Sequence, residues 1–145
     1  MPHTGHKRLE VLVHFVWSTN QRLPSITDGI EREVHRIIVQ ECQQLGCDVL
    51  AIGGMSDHIH VAVRLPSTVT LAQLVKQCKG VSSTLARALV APEQGAFSWQ
   101  NGYGAFSFSA SQRSRVIGYI NNQREHHTKG NLWYTVETFD ASGPD

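Results

Sequence analysis

Two histidines separated by a single residue, His58 and His60, could bind a metal ion together. They begin a run over residues 57–65 that is rich in valine and other apolar residues and ends at Pro66, a pattern typical of a β-strand. Successive side chains of a strand point to opposite faces, so both imidazoles face the same way, roughly 6.5–7 Å apart at the backbone. Two imidazoles at this spacing can share one divalent ion. The alternative is a pair of solvent-facing histidines on a half-exposed strand.

A second pair, Tyr119 and Gln123, stands four residues apart in a helix predicted over residues 111–128. Side chains at this spacing lie one above the other on a helix face, while Ile117 and Ile120 take a different face, toward the core. A phenol can act as a nucleophile, and an amide oxygen can complete the ligand set of a metal. Because the pKa of a free phenol is about 10, a neighbouring cation would have to help Tyr119 lose its proton.

The order of predicted elements defines the fold class. Strands over 9–17, 48–53 and 58–65, and short strand pieces within 97–109, alternate with helices that follow Thr27 and Thr70. Gly80 is expected to interrupt the second helix. This βαββαβ order with an extra C-terminal helix predicts an α+β, ferredoxin-like (RRM-like) fold, an antiparallel sheet with helices on one face. The other face would be free, and a histidine pair on it would be accessible.

Length and composition fit a single domain. The chain has 145 residues, of which 41% are hydrophobic, so we expect one domain over 1–145 with 1–8 and 140–145 loose. No apolar run approaches the ~20 residues of a membrane helix, and the first residues lack a signal peptide's apolar segment. Three cysteines in no zinc or redox spacing, Cys42, Cys47 and Cys78, are expected to be buried thiols in a reducing cytoplasm.

The net charge of +1 is unevenly distributed. Residues 58–124 hold seven basic side chains and one acidic one, whereas the segments on either side are acidic. A basic middle segment favours a polyanionic partner, most simply nucleic acid; the alternative is an ordinary solvated surface. The side chains that could contact a DNA backbone are Arg64, Lys76, Lys79, Arg87, Arg113 and Arg115, and His126 and His127 are read as surface or phosphate contacts.

Several segments together carry a family resemblance. Asp57-His58-Ile59-His60 resembles the HUH motif, in which a hydrophobic residue separates two histidines. Segments 17–19, 79–83 and 99–107 look like framework signatures of the same family, and 119–127 looks like its catalytic helix. Over residues 9–128 the chain resembles the single-tyrosine HUH transposases of bacterial insertion sequences. The tail departs from the family, because residues 133–145 do not read as the further helix that its members usually have.

The resemblance implies a reaction, a metal site, a substrate and an oligomeric state. Tyr119 would attack a phosphate in single-stranded DNA, form a 5′-phosphotyrosine link and free a 3′-hydroxyl. His58, His60 and Gln123 would hold Mg²⁺ or Mn²⁺, with other divalent ions possible in vitro. The substrate would be single-stranded DNA with hairpin ends, in the nucleoid of a bacterial cytoplasm. The family works as a homodimer in which one subunit's histidine pair meets the other's tyrosine helix.

Other interpretations stay open from the residues themselves. The chain could be a non-catalytic single-stranded nucleic-acid module, such as a domesticated transposase, or a metal-dependent phosphodiesterase that uses water. Tyr103 is a rival nucleophile, but it lies in a predicted turn without an amide four residues on. Asp57 could support a histidine or only form a turn, and His14 is read as a packed residue of the first strand.

Overall fold

A four-stranded antiparallel sheet organises the computed structural model, which describes residues 8–90 and 96–123. The strands are β1 (Leu12–Ser18), β2 (Asp48–Met55), β3 (His58–Arg64) and β4 (Gly104–Phe108), in the order β2-β3-β1-β4. The helices are α1 (Asp28–Gln44), α2 (Leu71–Leu89) and α3 (Arg113–Asn121). The chain therefore runs βαββαβ and then into α3, which confirms the predicted α+β, ferredoxin-like fold.

The two central strands, β1 and β3, separate two different faces of the sheet. They pair in register, with Phe15 opposite Val61 and Val16 opposite His60. One face carries only apolar side chains, and it packs with α1 and α2 into the main core. The other face carries His58 and His60, as the strand alternation predicted. The apolar residues that β1 and β3 give to the main core are Val13, Phe15, Trp17, Ile59, Val61 and Val63.

Helices α1 and α2 form the layer over the main core. In α2, Thr70 and Gln73 form a reciprocal capping box that satisfies backbone donors at the first turn. The helix runs through Gly80 without interruption, so the predicted break there is wrong. A glycine inside a helix costs only about 1 kcal/mol relative to alanine, and buried residues on both sides, including Cys78 and Ala86, hold α2 against the core. The cysteines are free and buried, as predicted.

Helix α3 covers the face of the sheet that was expected to be free. Val116 and Ile120 pack with Ala51 of β2 and Ala62 of β3 in a second, smaller core cluster. Gly53 allows this close approach, because a Cβ at that position would lie less than 3.0 Å from the carbonyl oxygen of Ile120. The expectation of an accessible histidine pair is therefore wrong for the described chain, since burial of α3's apolar side chains closes that face.

The segment before α3 contains less strand than predicted. Of its two expected strand pieces, the first is a single bridge between Trp99 and Thr19, and the second is β4. The last helix was predicted over 111–128, and α3 ends at Asn121. Four parts of the sequence predictions lie outside the described residues: 124–128 of that helix, residues 1–7 and 140–145 of the loose ends, and the contacts His126 and His127. No helix in the described ranges is long and apolar enough to span a membrane.

Candidate active site

The two histidines of β3 lie side by side on the face covered by α3. Their ring centroids are 5.0 Å apart, with the planes nearly perpendicular. His58 is 1% exposed and His60 is fully buried. Pairing with Ser18 of β1 and Met55 of β2 holds His58 in the sheet, and Val16 and Gly53 flank His60 in the same way. The histidines are thus fixed by the strand ladder, as a shared binding site requires.

The other predicted pair, Tyr119 and Gln123, reaches the histidines from above. The amide oxygen of Gln123 lies 3.2 Å from Nε2 of His58, and its amide nitrogen donates to the backbone carbonyl of Tyr119 over 3.2 Å. The ring of Tyr119 packs edge-on against His60, with centroids 5.8 Å apart. All four predicted side chains therefore converge within one chain, whereas the family resemblance implies a tyrosine helix from a partner subunit.

Each histidine is held through its Nδ1 atom. Asp57 Oδ1 lies 2.7 Å from Nδ1 of His58, and Nε2 of His14 lies 2.8 Å from Nδ1 of His60. Coordination would therefore use Nε2 of each ring. The hydrogen bond from His58 is the main cause that holds the pKa of Asp57 below its usual range, and the Arg22 guanidinium, 3.4 Å away, lowers it further. Of the two interpretations of Asp57, the geometry favours support of His58 over a simple turn.

The donor set fits a divalent cation. His58 lies between two acceptor oxygens, those of Asp57 and Gln123. If its proton is on Nδ1, its Nε2 lone pair and the Gln123 oxygen face the same space, where a divalent ion could bind; a second proton on Nε2 would satisfy the same contact. Ligands ~2.1 Å from one ion at angles of about 90–109° lie about 3.0–3.4 Å apart, which matches the observed 3.2 Å. The described residues offer no metal-binding group of three or more His, Cys, Asp or Glu side chains, and a metal bound to the two histidines would take the amide oxygen of Gln123 as its third protein ligand.

A strained loop after β1 contacts the site at Asp57. Gln21 and Arg22 both have left-handed backbones, with φ of 57° and 56°. Thr19 holds this loop, because its backbone N–H donates to the carbonyl of Asp57 over 2.9 Å and its hydroxyl to the carbonyl of Leu23 over 2.7 Å. Strain of this kind is kept where surrounding contacts fix it, often beside functional sites. The loop brings Arg22 to Asp57, a placement that sequence reasoning missed.

Comparison with known protein families agrees with this geometry. Residues 7–123 match the family model described as "Transposase IS200 like". The chain belongs to this transposase family. Membership confirms the resemblance drawn from the HUH-like motif and its framework segments, and it covers every described residue of the candidate site.

Solved structures share the fold of this IS200-like transposase chain. A crystal structure of a candidate transposase from Deinococcus radiodurans R1 is 22% identical, with a TM-score of 0.66 over 85% of this chain and 98% of that one. A REP-associated tyrosine transposase bound to a REP hairpin is 11% identical, with a TM-score of 0.64 over 88% of this chain and 74% of that one. At these identities the likeness establishes the fold. A search of curated proteins gives no match.

Two of the side chains predicted to contact DNA, Lys79 and Arg64, bond to other residues of the same chain. The Lys79 ammonium donates to the backbone carbonyls of Gln100 and Gly102 over 2.9 and 2.8 Å, and so fastens the segment before β4 to α2. Arg64 pairs with Asp48 at 3.0 Å and Glu10 at 3.3 Å at the far end of β3. For these two side chains the geometry favours structural roles over contacts with DNA.

The other predicted cationic contacts divide between the two faces of the sheet. Lys76 and Arg87 are exposed on α2, which packs on the face opposite the histidines. Arg113 and Arg115 belong to α3, on the histidine side. The rival nucleophile Tyr103 packs against Phe15 of the main core, with ring centroids 6.4 Å apart. Tyr103 is thus on the wrong face to act with His58 and His60, so Tyr119 is the better candidate.

Proposed function

We propose that this chain cleaves and rejoins single-stranded DNA at insertion-sequence ends, with Tyr119 as nucleophile and a divalent ion held by His58, His60 and Gln123. Family membership supports the transposase activity. The observation that carries the chemical proposal is the convergence of Gln123 on His58, at 3.2 Å, beside a tyrosine ring that packs on His60. No water nucleophile is needed in this mechanism.

The charges around the proposed ligands suit a phosphodiester substrate. Two imidazoles and an amide are neutral metal ligands. The carboxylate of Asp57 would not contact the ion, because it is hydrogen-bonded to the far nitrogen of His58 and paired with Arg22. A bound Mg²⁺ or Mn²⁺ would therefore keep most of its charge to polarise a phosphate and stabilise the charge of the transition state. Imidazole ligands also suit softer divalent ions, so Mn²⁺ should bind more tightly than Mg²⁺.

The reaction is an exchange of phosphate esters at Tyr119. The phenol loses its proton to water, and its oxygen forms a bond to phosphorus while the bond from phosphorus to the 3′-oxygen breaks. That oxygen takes up a proton and becomes a 3′-hydroxyl, and the 5′-phosphate stays on the tyrosine. Attack of a 3′-hydroxyl on the phosphotyrosine reverses these steps and joins strands, since the covalent link conserves the ester.

The proposed partners are hairpin-ended single-stranded DNA and a second copy of the chain. A solved relative of the same fold is bound to a REP hairpin, which supports a hairpin substrate here. In the proposed homodimer each site combines one subunit's histidine pair with the other's α3. The same contacts would also complete the site within one chain, as α3 lies over its own sheet in the structure.

A covalent adduct tests the proposal. The protein is incubated with single-stranded DNA that carries an insertion-sequence end, with Mg²⁺ or Mn²⁺, and separated on a denaturing gel. We expect a DNA-linked protein band with wild type and with Tyr103→Phe, and none with Tyr119→Phe. Cleavage that survives Tyr119→Phe would identify a water-using phosphodiesterase instead. Binding without cleavage in either metal would identify a non-catalytic nucleic-acid module.

A further inference from the structure

We propose that His14 is a positioning residue that fixes the tautomer and orientation of His60 for metal binding. The inference rests on the proposed metal site. His14 lies in the middle of β1, is 1% exposed, and faces the same side of the sheet as His60. Its Nε2 atom is 2.8 Å from Nδ1 of His60, and the two ring centroids are 5.0 Å apart.

A contact of 2.8 Å between ring nitrogens requires one to donate and the other to accept. If His60 binds a metal through Nε2, its proton must sit on Nδ1. His60 then donates to His14, and His14 carries its own proton on Nδ1. The acceptor on His14 thus selects the one tautomer of His60 that leaves Nε2 available, as a hydrogen bond to the second nitrogen does in metal-binding histidines generally.

Packing alone does not explain a histidine at position 14. Its neighbours on the same face of β1, Leu12 and Val16, are buried apolar residues, and an apolar side chain would fill the space. A buried imidazole is costly unless its polar atoms are bonded. The Nε2 atom of His14 bonds His60, a proposed metal ligand. A polar residue therefore stands in β1 at the point where His60 needs a hydrogen-bond acceptor.

The two proposed ligands would then be supported differently. A carboxylate, Asp57, holds His58, whereas a neutral imidazole, His14, holds His60. Only the first arrangement adds negative charge behind the ligand. His14 would therefore orient His60 without adding charge to the site.

The test compares His14→Leu with His14→Gln in the full chain, without DNA. Leucine keeps the burial but removes the acceptor, while the glutamine amide oxygen can reach roughly the position of Nε2. Mn²⁺ affinity is measured by isothermal titration, and thermal melting in the absence of metal reports stability. We expect His14→Leu to weaken Mn²⁺ binding by about 10–100-fold and His14→Gln to recover most of it. Leu12→Val is the packing control, with a lower melting temperature and unchanged affinity.

The outcomes separate this inference from the proposed function. Wild-type affinity in His14→Leu would overturn the role of His14 and leave the metal site standing, whereas no Mn²⁺ binding by the wild type would refute both. If both variants fail to fold, ring ¹⁵N spectra of metal-free wild type decide. We expect His60 to carry its proton on Nδ1, and a proton on Nε2 would overturn the proposal.

Discussion

Replacing Gly53 with alanine should displace α3 and disable the site while the fold survives. The new Cβ would lie less than 3.0 Å from the carbonyl oxygen of Ile120, a backbone atom that cannot turn aside. To reach an ordinary separation of ~3.5 Å, α3 must retreat by on the order of 1 Å. Overpacking of this kind costs about 1–3 kcal/mol of unfolding free energy, which a domain with an intact main core tolerates.

The functional loss should exceed the loss of stability. Gln123 reaches His58 at 3.2 Å, and a retreat of α3 by on the order of 1 Å would break this contact and move Tyr119 with it. A misplacement of about 1 Å can lower a catalytic rate by ~10²-fold. The assay is the rate of covalent adduct formation at saturating DNA and Mn²⁺, with Mn²⁺ affinity measured in parallel. Both should fall in Gly53→Ala, while the folded fraction stays high.

Gly118→Ala is the matched control. It changes a glycine of α3 itself, where an added Cβ would meet no atom of the described residues within 4 Å outside the helix's own backbone. Alanine should raise helix stability by up to about 1 kcal/mol and leave the adduct rate close to wild type. The reasoning is refuted if Gly53→Ala forms adduct within about threefold of the Gly118→Ala rate, because α3 would then not need its close contact with β2.

Three further substitutions test two neighbours of the site and one contact that holds the fold together. Asp57→Asn removes the charge behind His58 and should weaken Mn²⁺ binding by about 10-fold, measured by titration; an unchanged affinity would mean that Asp57 only forms the turn. Arg22→Ala should raise the Kd for single-stranded DNA and reduce its salt slope by about 1, while Mn²⁺ affinity holds; an unchanged slope would exclude a phosphate contact. Lys79→Met should lower the melting temperature through loss of two hydrogen bonds, unlike Lys76→Met, and equal melting of the two variants would contradict this.

The sequence predicted the parts of the site that depend on local periodicity. The two-residue repeat of β3 placed His58 and His60 on one face. The four-residue spacing brought Gln123, two residues beyond the end of α3, back to the Tyr119 carbonyl. Both follow from the geometry of a single element. The order of elements then gave the fold, because few sheet topologies accommodate a βαββαβ chain with short connections.

What sequence reasoning missed depends on contacts between elements. His14 and Arg22 meet the site because β1 runs antiparallel to β3, which sets Ser18 opposite His58; neither position has a local pattern that marks it. Gly80 was expected to break α2, but apolar burial on either side outweighs a local preference of about 1 kcal/mol. Gly53 looks like an ordinary strand glycine until α3 is known to lie on it.

Tyr119 is only 7% exposed in the described structure, so the proposed attack on DNA would require α3 to open first. Among the described residues, α3 is held by a cluster of four buried residues, two of them alanines, while eighteen form the main core. Segments with little buried apolar surface open at a small fraction of the global unfolding free energy. Amides of α3 should therefore exchange with solvent well before those of β1 and β3. An opening of α3 alone would expose the histidine pair and free the tyrosine helix for a partner subunit, so one movement would serve both substrate access and the shared sites of the proposed homodimer.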